Sequence, residues 1–468
     1  MQKQQLRNGD SVPRRTDLNL AEVLDGGLGA DGVGDLVHHP MQHGLASLLN
    51  QCLPGREQLT TTTLLRTKFK PGRKLTAYYR LQVGAEVRPI ALSWFAELPA
   101  DSVGSAELQD RGASRQLVAP FAHLSARTEG GLIALLIAPI DPQMPQLMRL
   151  SDHSYVTGLL ATLHADSALR SEARRTQAVR YRPGQRHVLR VSAGAGPDQQ
   201  AAYLKIDRDD HGARAVRFAR AVGPLLAERS PGARLVEPLG YGAEDQVAVW
   251  RGLAGTAMSE EIRDPSRASR LLASIGEAVR VLHDIGEQTA DNALTADQRS
   301  APHSARSELP SVLGAGQYLS VLLPEVAVRY RVLAMEVLER LEDLPSEDPR
   351  LGHGDLKCDN ILVAENRVHL LDLDRTGLAE PAMDLGKFLA DLAWWGHRHG
   401  VDVAGPVRDF LEAYGPCDPA RLSRARLIAV LYRLKLAARR TPVHDPNWYS
   451  QVERQVDEAA VDLRATTP

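Results

Sequence analysis

Three oxygen-bearing side chains stand at a spacing that suits phosphoryl transfer. Asp355 lies within His353-Gly354-Asp355-Leu356-Lys357-Cys358-Asp359-Asn360, and Asp372 follows in Leu370-Leu371-Asp372-Leu373-Asp374. Between them, Asn360 to Val363 and Val368 to Leu373 read as two short apolar strands joined at Glu365-Asn366. A hairpin of this kind brings Asp355, Asn360 and Asp372 close together. One carboxylate can then accept the proton of an attacking hydroxyl. The amide and the second carboxylate can hold magnesium on nucleotide phosphates, since oxygen ligands suit that hard ion.

This stretch resembles the kinase-like fold, in particular the aminoglycoside phosphotransferase and choline kinase superfamily. Its members carry a His-Gly-Asp loop, an Asn five residues after the Asp, and then an Ile/Leu-Asp metal motif. The matching residues here are His353-Gly354-Asp355, Asn360 and Leu371-Asp372. Two motifs in the right order weigh more than either alone. The resemblance implies an α+β chain with a mixed β N-lobe and a helical C-lobe. It also implies ATP and Mg2+ as cofactors, with Asp355 as general base or hydroxyl orienter and Asn360 and Asp372 on the metal. Lys357 sits where serine/threonine protein kinases have a lysine that steadies the transferring phosphate. His353 is expected to fix the loop by hydrogen bonding, and Asp359 and Asp374 to be supporting or solvated.

An internal repeat supplies the elements that would position these groups. Lys68-Phe69-Lys70-Pro71-Gly72-Arg73-Lys74 returns as Arg180-Tyr181-Arg182-Pro183-Gly184-Gln185-Arg186, and strand-like segments follow each turn. Two copies of one β-rich unit fit this pattern. The second copy stands where a kinase N-lobe belongs. Lys205, in Tyr203-Leu204-Lys205-Ile206, is placed like the strand lysine that pairs with nucleotide phosphates. The turn with Arg182 and Gly184 would lie over those phosphates, and the family resemblance implies that backbone groups near Trp250 to Leu253 hold the adenine. The family's helix glutamate has no counterpart early in the helix expected from Ala213 to Glu228; either Glu228 reaches Lys205 or another acid substitutes. The first copy has Leu92-Ser93-Trp94 where Lys205 aligns, so it reads as a lysine-less lobe packed beside the second. The expected divisions are an N-terminal extension (1–58), a degenerate N-lobe-like repeat (59–168), the kinase-like N-lobe (172–253) and the helical catalytic lobe (254–468).

Other signals are weaker. Gly27-Leu28-Gly29-Ala30-Asp31-Gly32 fits G-x-G-x-x-G, but no β-branched strand precedes it, so Asp25 to Gly34 reads as a flexible loop. His38, His39 and His43 lack a carboxylate or Cys at metal-binding spacing and read as a solvated loop. Residues 288–310 read as a polar loop and Asp384 as a helix N-cap, and the resemblance implies that the Asp384-Leu385 pair is a structural anchor for the catalytic loop. Glu412, Asp418 and Asp402 are candidate acids for a cationic acceptor.

Composition narrows the partners. Charged residues make 24% of the 468, the formal net charge is −2, and no general affinity for nucleic acid or anionic membrane follows. Cys52, Cys358 and Cys417 lack paired spacing. The polar segment Met1 to Arg15 is not expected to be a signal peptide, and the run Leu132 to Ala138 is too short to span a bilayer. A cytoplasmic enzyme acting on a small-molecule substrate is expected, with its oligomeric state left open. The alternatives are a protein or peptide kinase, and a nucleotide-binding pseudokinase with a regulatory role.

Overall fold

Two Pro-Gly turns organise the strand-rich half of the chain. The computed structural model describes residues 18–53, 59–98, 115–163, 169, 173–193 and 200–466. The first turn joins β1 (Leu59–Lys70) to β2 (Lys74–Val83), followed by β3 (Glu86–Phe95), β4 (Ser125–Arg127) and β5 (Ile133–Ile137). The second joins β6 (Ala173–Arg182) to β7 (Arg186–Ala193), followed by β8 (Gln200–Asp207), β9 (Ala233–Leu235), β10 (Pro238–Gly242) and β11 (Val247–Arg251). The sheets run β1-β2-β3-β5-β4 and β6-β7-β8-β11-β10, so both copies share one antiparallel order. β9 leaves the second sheet to pair with the catalytic hairpin described below.

Alternation along the strands decides which groups face inward. In β7, His187, Leu189, Val191 and Ala193 are buried and their neighbours are not. In β8, Leu204 and Ile206 enter a core on one face while Lys205 points to the other. That core joins the copies: Tyr78, Ala91, Leu147 and Leu160 from the first pack with Leu189, Val191, Leu204 and Val249 from the second. The repeat therefore packs against the second lobe, as its unpaired apolar faces require. It also meets the helical lobe, where Thr67 Oγ1 lies 3.1 Å from His444 Nδ1.

The C-terminal half is helical. Its long helices are Pro265–His283, Pro324–Glu342, Pro381–His399, Pro419–Arg440 and Trp448–Ala465. A second buried cluster runs from Leu24 and Trp94 through Phe218 and Leu272 to Phe388 and Val456. Between the helices lie β12 (Thr256–Ala257), β13 (Arg350–Gly352), β14 (Ile361–Ala364), β15 (Arg367–Leu370) and β16 (Gly377–Ala379). The chain is thus α+β and two-lobed, with a second sheet of the same order ahead of the N-lobe. Among the described residues no helix is long and apolar enough to cross a membrane.

Several local expectations are corrected. Asp25 to Gly34 is not a loop: helices run over Leu20–Asp25 and Gly29–His38. Asn19 caps the first through the Ala21 N–H, and Val33, Leu36 and Val37 bury one stripe of the second. The nearby histidines do have a carboxylate, since His43 Nε2 is 3.0 Å from Asp35 Oδ2 and His39 Nε2 is 3.8 Å from Oδ1. Residues 288–310 hold helices Glu287–Ala293 and Ala296–Ser300 and the start of Ala305–Ala315, and the latter two begin in capping boxes at Thr295 and Ser304. Asp384 is not an N-cap; its helix begins at Pro381. Asp402 and Asp418 accept from Ala404 N and Ala420 N at helix starts.

Candidate active site

The loop from Gly352 to Asn360 is held from beneath by two buried carboxylates of the helix Pro381–His399: Asp391, which accepts from Cys358 N at 2.7 Å, and Asp384. Asp384, buried in the first turn of its helix, accepts from His353 N at 2.7 Å and Gly354 N at 2.9 Å. Burial alone would raise its carboxyl pKa; His283 and the His353 amide outweigh that and hold it at about 2. Gly354 has φ +72, and a Cβ there would fall 2.0 Å from the Arg375 carbonyl oxygen, so only glycine fits. His353 is fully buried and its Nδ1 accepts from Asp355 N at 3.3 Å. Burial lowers its pKa, so it is neutral and serves the loop.

Asp355 is gripped from three sides. Asn360 Nδ2 donates to its carbonyl and to its Oδ2, both at 2.9 Å. Lys357 Nζ lies 2.7 Å from Oδ2, and Lys387 Nζ, from the helix beneath, pairs with Oδ1. Burial would raise this carboxyl, but the two ammoniums prevail and hold it well below the usual range. Asp355 is therefore a fixed anion that accepts hydrogen bonds.

The second carboxylate follows a tight hairpin. Glu365 and Asn366 both take positive φ between β14 and β15, the geometry of a two-residue hairpin turn. Leu371 N then bonds Asn360 O at 2.8 Å, which ties the two motifs together. Asp372 itself is left-handed, at φ +59. Lys205 Nζ pairs with Asp372 and lies 2.5 Å from Asp374 Oδ2. Arg186 adds a second cation, 2.6 Å from Asp207 Oδ1, 3.6 Å from Asp372 Oδ1 and paired with Asp374. Within this cluster Asp372 is pulled down by Lys205, against burial, while Asp374 is pushed up by burial and by the Asp372 charge.

The donor set fits magnesium. Among the described residues no group of three or more His, Cys, Asp or Glu forms a metal cage. A magnesium ion commonly takes one or two protein oxygens and completes its shell with water and substrate phosphates. Asn360 and the quarter-exposed Asp372 side chain are oxygen donors beside Asp355 that would suit such a shell. Between the lobes, β11 ends at Arg251, and Gly252 N bonds Ala201 O at 2.7 Å. Trp250 is buried there, and Leu253 is part-exposed.

A family model described as the phosphotransferase enzyme family matches residues 180–428, more than half of the chain. The chain belongs to the phosphotransferase enzyme family. None of the curated proteins matches it. Among solved structures it is similar to a choline/ethanolamine kinase family protein from Mesorhizobium loti, at 20% identity and TM-score 0.43, over 67% of this chain and 95% of that one. It is similar to choline kinase from Cryptosporidium parvum at 9% identity and TM-score 0.48, over 67% and 96%. It is also similar to a spectinomycin phosphotransferase in complex with ADP and spectinomycin, at 12% identity and TM-score 0.44, over 63% and 93%.

Within this phosphotransferase, Asp355, Lys357, Asn360, Asp372 and Lys205 come together. Arg182 ends β6 and Gly184 lies in the β6–β7 turn. Arg182 lines a cavity of about 790 Å³ between the two sheets, and the guanidinium that reaches Asp372 belongs to Arg186. Glu228 is exposed near the far end of its helix. The buried face of that helix (Ala215, Phe218, Ala219, Val222) carries no acid, so the partners of Lys205 are Asp372 and Asp374. Sequence reasoning missed Lys387, Arg186 and the ionic role of Asp374. For Lys387 a signal exists: it follows Asp384 by three residues and so shares its helix face.

Proposed function

We propose that this phosphotransferase moves the γ-phosphoryl group of ATP to a hydroxyl of a small molecule of aminoglycoside, amino-alcohol or sugar type. The convergence of Asp355, Asn360, Asp372 and Lys205 on one cleft carries the reading. Asp355 orients the acceptor hydroxyl and takes its proton. Its depressed pKa suits an orienting role, because a loose phosphoryl-transfer transition state asks little of a base. Lys205 contacts the nucleotide phosphates, released to them from Asp372. Lys357 steadies the transferring group, and Lys387 keeps Asp355 charged and aimed. Magnesium held by Asn360 and Asp372 would neutralise charge on the phosphates.

The short segment after Asp372 favours a small acceptor over a peptide. Only residues 373–380 separate it from the helix that begins at Pro381, which leaves no long activation segment to dock a protein. The survival of Asp355, Asn360 and Asp372 argues against a pseudokinase. The test is ATP consumption across a panel of aminoglycosides, amino alcohols and sugars, with serine and threonine peptides as controls. Turnover with one small-molecule class is expected. Turnover with peptides alone, or none with any acceptor, would overturn the reading.

A further inference from the structure

The turn above the cleft does not stand by itself. Asp141, which follows β5 of the first copy, is 1% exposed. Its Oδ2 accepts from Gly184 N at 2.7 Å and lies 2.7 Å from His187 Nε2, while Oδ1 accepts from Gln143 N at 2.9 Å. Beside it, the Tyr181 hydroxyl donates to Ile140 O at 2.5 Å, and the Tyr181 ring lies 5.2 Å from that of His187. Gln143 Oε1 accepts from Arg208 Nη1 at 2.9 Å and sits 2.8 Å from where a Cβ on Gly184 would stand. Ile140 to Gln143 of one copy thus grip Tyr181, Gly184, His187 and Arg208 of the other.

We propose that Asp141 is a positioning residue for phosphoryl transfer, through which the lysine-less copy fixes the Arg182–Gln185 turn over the nucleotide phosphates. A carboxylate shut away from water persists only where donors meet it, and here they are the Gln143 amide of its own segment and, from the second copy, the turn glycine and a buried histidine. Two residues beyond Gly184, Arg186 reaches Asp372 and Asp374, so a shift of the turn moves the cation that flanks the metal-binding carboxylate. Phosphoryl transfer depends on placement, and a displacement of about 1 Å is costly. The first copy repeats the device one step earlier, since its turn glycine Gly72 donates to Leu24 O at 2.8 Å, from the helix ahead of it. In each copy the preceding segment holds the turn glycine. In the first copy the acceptor is a backbone carbonyl, and in the second, the copy with the lysine, it is the side-chain carboxylate of Asp141.

This assignment rests on the nucleotide-dependent reading above, so its test has one arm that needs no activity. Amide hydrogen exchange is measured on wild type and Asp141→Ala, together with KM for ATP and kcat. In the variant, exchange at residues 184–187 rises about tenfold, as expected for one lost hydrogen bond, while the rest of β6 to β8 changes by less than about threefold. KM for ATP rises by about tenfold and kcat by far less. Selective exchange without any phosphoryl transfer by wild type would leave the brace standing and sink the function. A folded variant with unchanged turn exchange and KM would overturn the brace. So would exchange raised evenly across the sheet with kcat and KM altered together, the mark of a merely structural role. Should Asp141→Ala not fold, Asp141→Asn keeps one oxygen for Gly184 and weakens the hold on His187. The same selective pattern at smaller amplitude supports the brace, and wild-type values in both readouts overturn it.

Discussion

Lys387 and Lys357 hold opposite oxygens of the Asp355 carboxylate, one from the helix beneath and one from the loop itself. Two cations on one anion keep it deprotonated in a buried place where it would otherwise take up a proton. The sign is that of a depressed carboxylate: its charged form persists above the folded pKa and is lost only as pH falls through it. Wild type should therefore show no acid limb from Asp355 above about pH 5. In Lys387→Met the limb should move upward, and kcat should fall roughly 10- to 100-fold, the worth of one charged hydrogen bond. A kcat–pH profile that superimposes on wild type would remove Lys387 from the site.

Asp355 itself should matter for turnover and not for nucleotide binding. Asp355→Asn keeps the shape and the contact with Asn360 but removes the charge. Turnover should drop by roughly 10²–10⁴ while affinity for a nucleotide analogue persists. An active purified variant would exclude Asp355 as orienter or base.

The acid that serves Lys205 can be identified by contrast. Asp374→Asn removes a partner 2.5 Å from Lys205 and one that also binds Arg186. Nucleotide affinity should weaken by about tenfold, whereas Glu228→Gln, at an exposed site, should leave it alone. The reverse pattern would return the role to the helix glutamate.

The docking of the first copy on the helical lobe should depend on pH. Burial, aided by His38, lowers the His444 pKa to about 4, and its Nδ1 faces Thr67 Oγ1 on β1. A histidine kept neutral in the fold contributes stability above its unfolded pKa of about 6.5 and loses it as pH falls toward 4. Thermal stability should therefore decline over that window, and less so in His444→Gln. Equal declines in both proteins would show that other groups govern it.

How much of this was legible in the sequence follows the range of each interaction. The spacing of Asp355, Asn360 and Asp372 was readable because one loop and one hairpin fix it locally. The duplicated turn was readable because Pro-Gly and its flanking cations recur. The partner of Lys205 was not, since Asp374 lies 169 residues away and meets it only through packing of the lobes. Lys387 was hidden for the same reason, although its helical spacing from Asp384 pointed to it. The helices Gly29–His38 and Glu287–Ala293 were misread because glycine and polar residues mask a narrow apolar stripe. Asp141 carried no motif at all.

The account is tested most directly by calorimetric titration of the wild-type chain and Asp372→Ala with a non-hydrolysable ATP analogue, with and without magnesium. The account predicts one site per chain, an affinity in wild type that rises with magnesium, and no magnesium effect in Asp372→Ala. Two sites per chain, or a magnesium effect equal in both proteins, would contradict it.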